Sequence, residues 1–93
     1  MADKAVRVVI EGRVQGVWFR GWAMQEATRR GLGGWIRNRR DGTVEALFAG
    51  AEARVDEIVA ACRRGPPAAH VLNVVVHPAD DPGERRFRQA ATA

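Results

Sequence analysis

The stretch Gly12-Arg13-Val14-Gln15-Gly16-Val17-Trp18-Phe19-Arg20 has the residue types of an anion site. It lies between an alternating, strand-like run and a helical one that begins near Phe19. Glycines let backbone N–H groups converge on an anion, and the first turn of a helix adds unpaired donors and a partial positive charge. Arg20 brings a full charge to that turn, with a planar fork of donors suited to phosphate. The expectation is a phosphate cradle. Taken alone, an arginine on a first helical turn is most often a solvated surface residue.

The elements that must position this stretch can be read from periodicity. Residues 5–13 alternate, with Val6, Val8 and Ile10 on one face and Arg7, Glu11 and Arg13 on the other, as in a half-buried strand. A helix is expected over about 20–30, where Phe19, Ala23 and Ala27 share a face and Arg29-Arg30 suit the C-terminal end of the dipole. Gly31 and Gly33-Gly34 are expected to stop it. Trp35 to Asn38 and Thr43 to Ala49 read as a hairpin around Asp41-Gly42, and Gly50 ends it. Val55, Ile58, Val59 and Cys62 form an apolar stripe on a second helix, about 52–64, broken by Gly65-Pro66-Pro67. A valine-rich strand over 71–77 comes next, then a weak last strand over 85–91 whose only strongly apolar residue is Phe87. The order β-α-β-β-α-β with one apolar stripe per helix implies an α+β sandwich of ferredoxin-like type. Two helices would lie on one face of an antiparallel sheet.

Composition is consistent with one domain over residues 1–93. The chain is 46% hydrophobic and 28% charged, which is globular rather than disordered. No apolar run approaches the roughly 20 residues of a membrane-spanning helix, and the start Met1-Ala2-Asp3-Lys4, leading directly into a strand, leads us to expect no signal peptide. Cys62 is the only cysteine, so no internal disulfide can form, and a cytoplasmic location is expected. Fifteen basic against eleven acidic residues give a net charge of +4, and all the basic residues but Lys4 are arginine. That surplus suits an anionic partner, either a phosphorylated small molecule or nucleic acid, and fits a genome-wide arginine bias equally.

Gly12 to Arg20 resembles the first signature of the acylphosphatase family, Gly-x-Val-Gln-Gly-Val-x-Phe-Arg, at every fixed position. The second signature region is matched by Gly34-Trp35-Ile36-Arg37-Asn38, by Asp41-Gly42-Thr43-Val44-Glu45 and by Gly50. A third match, Arg64-Gly65-Pro66-Pro67-Ala68, precedes the valine strand. The likeness runs from about residue 4 to 77, with Ile36 standing where a smaller residue is usual and a C-terminal end poorer in apolar residues. The resemblance implies hydrolysis of the carboxyl–phosphate anhydride of acyl phosphates to a carboxylate and inorganic phosphate, without metal or cofactor. By matching position, Arg20 binds the phosphate and Asn38 orients the attacking water. The backbone of Val14, Gln15, Gly16, Val17, Trp18, Phe19 and Arg20 holds the phosphoryl oxygens. A monomer with no membrane or specific nucleic-acid partner is expected.

Each of these residues also has a plainer reading. Asn38 before a hairpin turn fits a turn residue, Gln15 fits a side chain that only fixes the loop, and Cys62 on its stripe fits the core. Trp18, in the loop, is a candidate border of the acyl group's pocket, and Trp35 is expected to pack at a strand edge. His70 and His77 lack partners at metal-ligand spacing. One rival function is an RNA-binding module of the same architecture, using Arg37, Arg39, Arg40, Arg85, Arg86 and Arg88. Against it, no strand carries the aromatic pattern that stacks bases. A second rival is a module of a longer carbamoyl-transfer maturation enzyme. The span from Met1 to Ala93 leads us to expect the stand-alone enzyme instead.

Overall fold

The computed structural model describes residues 3–93. Five strands and two helices succeed one another as β1 (Asp3–Arg13), α1 (Phe19–Arg29), β2 (Gly33–Asn38), β3 (Val44–Ala51), α2 (Glu52–Cys62), β4 (His70–Pro78) and β5 (Phe87–Gln89). The sheet order is β4-β1-β3-β2-β5. The expected α+β, ferredoxin-like architecture is present, with one correction. β5 pairs parallel to β2, so the sheet is mixed rather than wholly antiparallel.

The periodicities translate directly into the core. Val6, Val8 and Ile10 are buried on one face of β1, and the stripes Phe19-Ala23-Ala27 and Val55-Ile58-Cys62 cover that same face from above. β3 is central and buried along Val44–Ala49, which suits a strand with neighbours on both sides. On its far face sits Glu45, a buried carboxylate held by Arg7 at 3.0 Å and Arg37 at 2.7 Å.

Gly33 and Gly34 do not stop α1, as their composition suggested. Gly31, at φ 69°, already succeeds the helix, and both later glycines are buried in β2. Gly34 is paired with Phe48 on one side and Phe87 on the other. With no side chain between them, those two rings stack at 5.3 Å, nearly parallel at 11°. Gly34 also has φ 128°, and an added Cβ would lie 1.8 Å from the Leu47 carbonyl oxygen. Only glycine suits that position.

The same contact explains the weak last strand. Phe87, 6% exposed, is the one apolar anchor β5 needs, so the strand is three residues long rather than seven. Beyond it the chain stays on β2, with Ala90 N–H donating to Ile36 and Ala93 N–H to Asn38, while Arg40 N–H donates to Ala93. Trp35 is therefore not at a sheet edge. It lies between Leu47 and Arg88, with the Arg37 guanidinium 4.8 Å from its ring centroid.

The topology places two chain segments at one end of the sheet. β1 and β2 both run antiparallel to β3, so their C-terminal ends lie side by side with β3 between them. Ile10 and Asn38 each pair with Val44 from opposite sides. The loop leaving β1 and the last residue of β2 are thus held about 10 Å apart, two strand spacings.

Candidate active site

β1 ends and the chain turns through residues 14–18 into α1. Two residues take positive φ there, Gly16 at 74° and Trp18 at 66°. A glycine adopts this freely and needs no neighbour to make room, since nothing lies within 4 Å of a Cβ added at Gly16. The turn aims the N-terminus of α1 at the end of the sheet. Trp18 is the N-cap, it makes no side-chain capping bond, and the first turn holds no acidic residue. The leading N–H groups are left for an outside acceptor, and the partial positive charge of the dipole is not neutralised.

α1 packs over β2 and β5. Ile36 and Asn38 share the helix-facing side of β2, Ile36 fully buried and Asn38 half-buried at the strand's end. The two segments close a cleft of about 140 Å³. Its walls are Val14 and Gly16 from the loop, Trp18, Phe19, Arg20 and Gly21 from the start of α1, Asn38 from β2 and Gln89 from β5. Arg20 and Asn38, eighteen positions apart in sequence, line the same small space. Among the described residues no ion pair or side-chain hydrogen bond engages Arg20, and no carboxylate or imidazole lines the cleft.

Two loop residues named from the sequence do not line it. Val17 packs against the core. Gln15 turns the other way, its Nε2 donating to the carbonyl oxygens of Arg39 at 2.7 Å and Thr43 at 2.9 Å. These are the residues flanking the β2–β3 turn, which is closed by Asp41. Its Oδ1 accepts from Thr43 Oγ1 at 2.6 Å and from Thr43 N at 3.0 Å. The same bonds, the side-chain one first, hold the Asp41 carboxyl below its usual range.

Two wall residues were missed. Gln89 lies two positions beyond Phe87, so strand alternation from that buried ring would have placed it on the helix side. Gly21 carries no signal in the sequence. Elsewhere, Cys62 is buried and burial pushes its thiol up to about 12, which marks a core residue rather than a nucleophile. Among the described residues no three His, Cys, Asp or Glu side chains group as metal ligands would, and no helix is long and apolar enough to cross a membrane.

A family model described as Acylphosphatase matches residues 6–89. The chain belongs to the acylphosphatase family. The match extends past residue 77 and takes in β5, so the likeness is longer than the signatures indicated. The acylphosphatase of Rhodospirillum rubrum is 52% identical over 86 residues, 92% of this chain and 94% of that relative. Among solved structures, an acylphosphatase from Bacillus subtilis is similar at TM-score 0.89 and 38% identity, over 92% of this chain and 97% of the other. One from Coxiella burnetii reaches TM-score 0.91 at 30% identity, over 95% and 93%.

Proposed function

We propose that this acylphosphatase-family chain hydrolyses the carboxyl–phosphate anhydride of acyl phosphates by direct attack of water. Arg20 would hold the phosphoryl oxygens and Asn38 the water. The observation that carries the division of labour is the shared cleft, with an arginine on an uncapped helix turn facing an amide at the end of β2. The phosphoryl group sits against the N–H groups that open α1 and against the Arg20 fork. The Asn38 amide accepts from or donates to a water on the side of phosphorus away from the acyl oxygen. The water oxygen bonds to phosphorus as the bond to the acyl oxygen breaks, and the carboxylate leaves with the electron pair. The water's proton passes to phosphate or solvent.

The chemistry suits a site this sparse. A carboxylic acid has a pKa of roughly 4, so its anion leaves without a proton donor. Phosphoryl transfer depends mainly on position and on stabilising charge at the phosphoryl oxygens. An arginine, a turn of amides and one side-chain amide supply both, and the proposed reaction calls for neither metal nor cofactor. We read the chain as one domain acting as a cytoplasmic monomer.

The nucleic-acid reading draws less support. Of the arginines it needs, Arg37 is paired with Glu45 and Arg88 with Glu84, and Arg39 lies 4.0 Å from Asp41. The test is release of phosphate from acetyl and benzoyl phosphate, with and without chelator. Hydrolysis that survives the chelator is expected. Activity that requires a divalent cation, or none on either substrate, would overturn the proposal.

A further inference from the structure

Trp18 occupies a position that serves it badly by every local measure. It is the only non-glycine residue with positive φ among the described residues, a region costly for a bulky side chain. It stands at a helix N-cap, where serine, threonine, aspartate or asparagine would satisfy a free N–H, and it makes no capping bond. It is 59% exposed, so its indole gains little from burial. Such strain persists where the surroundings impose it, and it collects at functional sites.

The neighbouring helix turn leaves room for the indole. Gly21 lies three positions on, in the first turn of α1, where glycine is a poor helix former. A Cβ added there would come 2.1 Å from Trp18 Nε1 and 2.6 Å from its Cε2. The helix surface is vacant where the pyrrole edge of the indole lies. Both residues are walls of the cleft, beside Arg20.

The cleft's shape says which part of a substrate would meet them. Its inner walls, Val14 and Phe19, are 1% and 2% exposed and close the cavity from behind. With the phosphoryl group held at Arg20 and the first turn of α1, the acyl group would extend away from those closed walls toward the mouth. There the exposed indole offers a flat apolar face, while Asn38 and Gln89 are polar.

We infer that Trp18, seated on Gly21, is the specificity-determining wall of this site and favours acyl phosphates whose acyl group is flat and apolar, an aromatic carboxyl being the simplest case. This rests on the hydrolase reading above. Stacking against the indole strengthens the hold on an aromatic acyl group and does little for a short aliphatic one.

The test compares kcat/KM for benzoyl and acetyl phosphate in the wild-type chain and in Trp18→Gly, Trp18→Phe and Gly21→Ala. Taking the ratio of the two substrates cancels their different intrinsic reactivity and any general loss of loop order. The benzoyl-to-acetyl ratio is expected to fall about three- to tenfold in Trp18→Gly and to stay within about twofold in Trp18→Phe. Gly21→Ala should lower it as well, because the new Cβ displaces the indole while helix propensity improves. That variant carries the test if Trp18→Gly does not fold. Active variants with an unchanged ratio overturn the inference alone, whereas a wild-type chain inactive on both substrates overturns the hydrolase reading and this one with it.

Discussion

Gln15 spans from the loop after β1 to the backbone of Arg39, donating to its carbonyl oxygen at 2.7 Å, and shares the same amide with Thr43 at 2.9 Å. Both acceptors bracket the turn just beyond Asn38. The bond therefore ties the loop that leads to Arg20 to the hairpin that carries Asn38. Gln15 acts on the site by fixing one half against the other.

Gln15→Met keeps the length of the side chain and removes the donor. Both carbonyls lose a partner, and the two halves of the cleft are free to drift. Misplacement of about 1 Å can cost on the order of 100-fold in rate. We expect kcat to fall about 10- to 100-fold while inhibition by inorganic phosphate changes much less, because Arg20 and the opening turn of α1 are untouched. Steady-state kinetics with phosphate as product inhibitor checks this. A parallel loss of phosphate affinity would mean that Gln15 shapes the cradle itself.

Arg20 and Asn38 should fail in different ways. Loss of one preorganised donor typically costs on the order of 10²–10³ in rate, about 3–4 kcal/mol. Arg20→Ala should lose at least that in kcat/KM and also lose inhibition by phosphate. Asn38→Ala should lower kcat and leave phosphate inhibition nearly intact, since the water and not the phosphoryl group is released. A fully active Arg20→Ala chain would sink the assignment.

Gly34 should be among the least replaceable residues of the sheet. Alanine there must hold φ 128° and place a methyl against the Leu47 carbonyl, between the stacked rings of Phe48 and Phe87. The backbone strain is worth about 1–3 kcal/mol and the ring pair about 0.5–1.5 kcal/mol. Thermal unfolding of Gly34→Ala is expected to shift down by about 10 °C or more.

These relationships differ in how visible they are in the sequence. The stripes Phe19-Ala23-Ala27 and Val55-Ile58-Cys62 and the alternation Val6-Val8-Ile10 were legible because burial on one face imposes a period. Arg20 and Asn38 were named from signature positions, and their shared cleft needs the parallel ends of β1 and β2, which no local pattern encodes. β5 was blurred because a single ring, Phe87, anchors it, and its parallel pairing joins residues 53 positions apart. The direction of Gln15 was hidden for another reason. Its partners are main-chain carbonyls, and a carbonyl leaves no mark in a sequence.

Glu45 makes stability depend on acid. Burial pushes its carboxyl up, but the Arg37 guanidinium, with Arg7 and Arg39 beyond it, outweighs this and holds it below the ordinary 4.5. A carboxyl whose folded value is lowered binds fewer protons folded than unfolded, so its contribution is complete above about 4.5 and is lost as pH falls through the lower folded value. Glu45→Gln keeps the shape and abolishes the titration, leaving Arg7 and Arg37 without their anion. Because both arginines reach solvent, with side chains 37% and 34% exposed, the cost at pH 7 should be modest, about 1–3 kcal/mol. Denaturant unfolding of both chains from pH 7 to pH 3 should show the gap closing below about pH 4.5. A gap that stays constant across that range would mean that the Glu45 carboxylate contributes through packing and not through its charge.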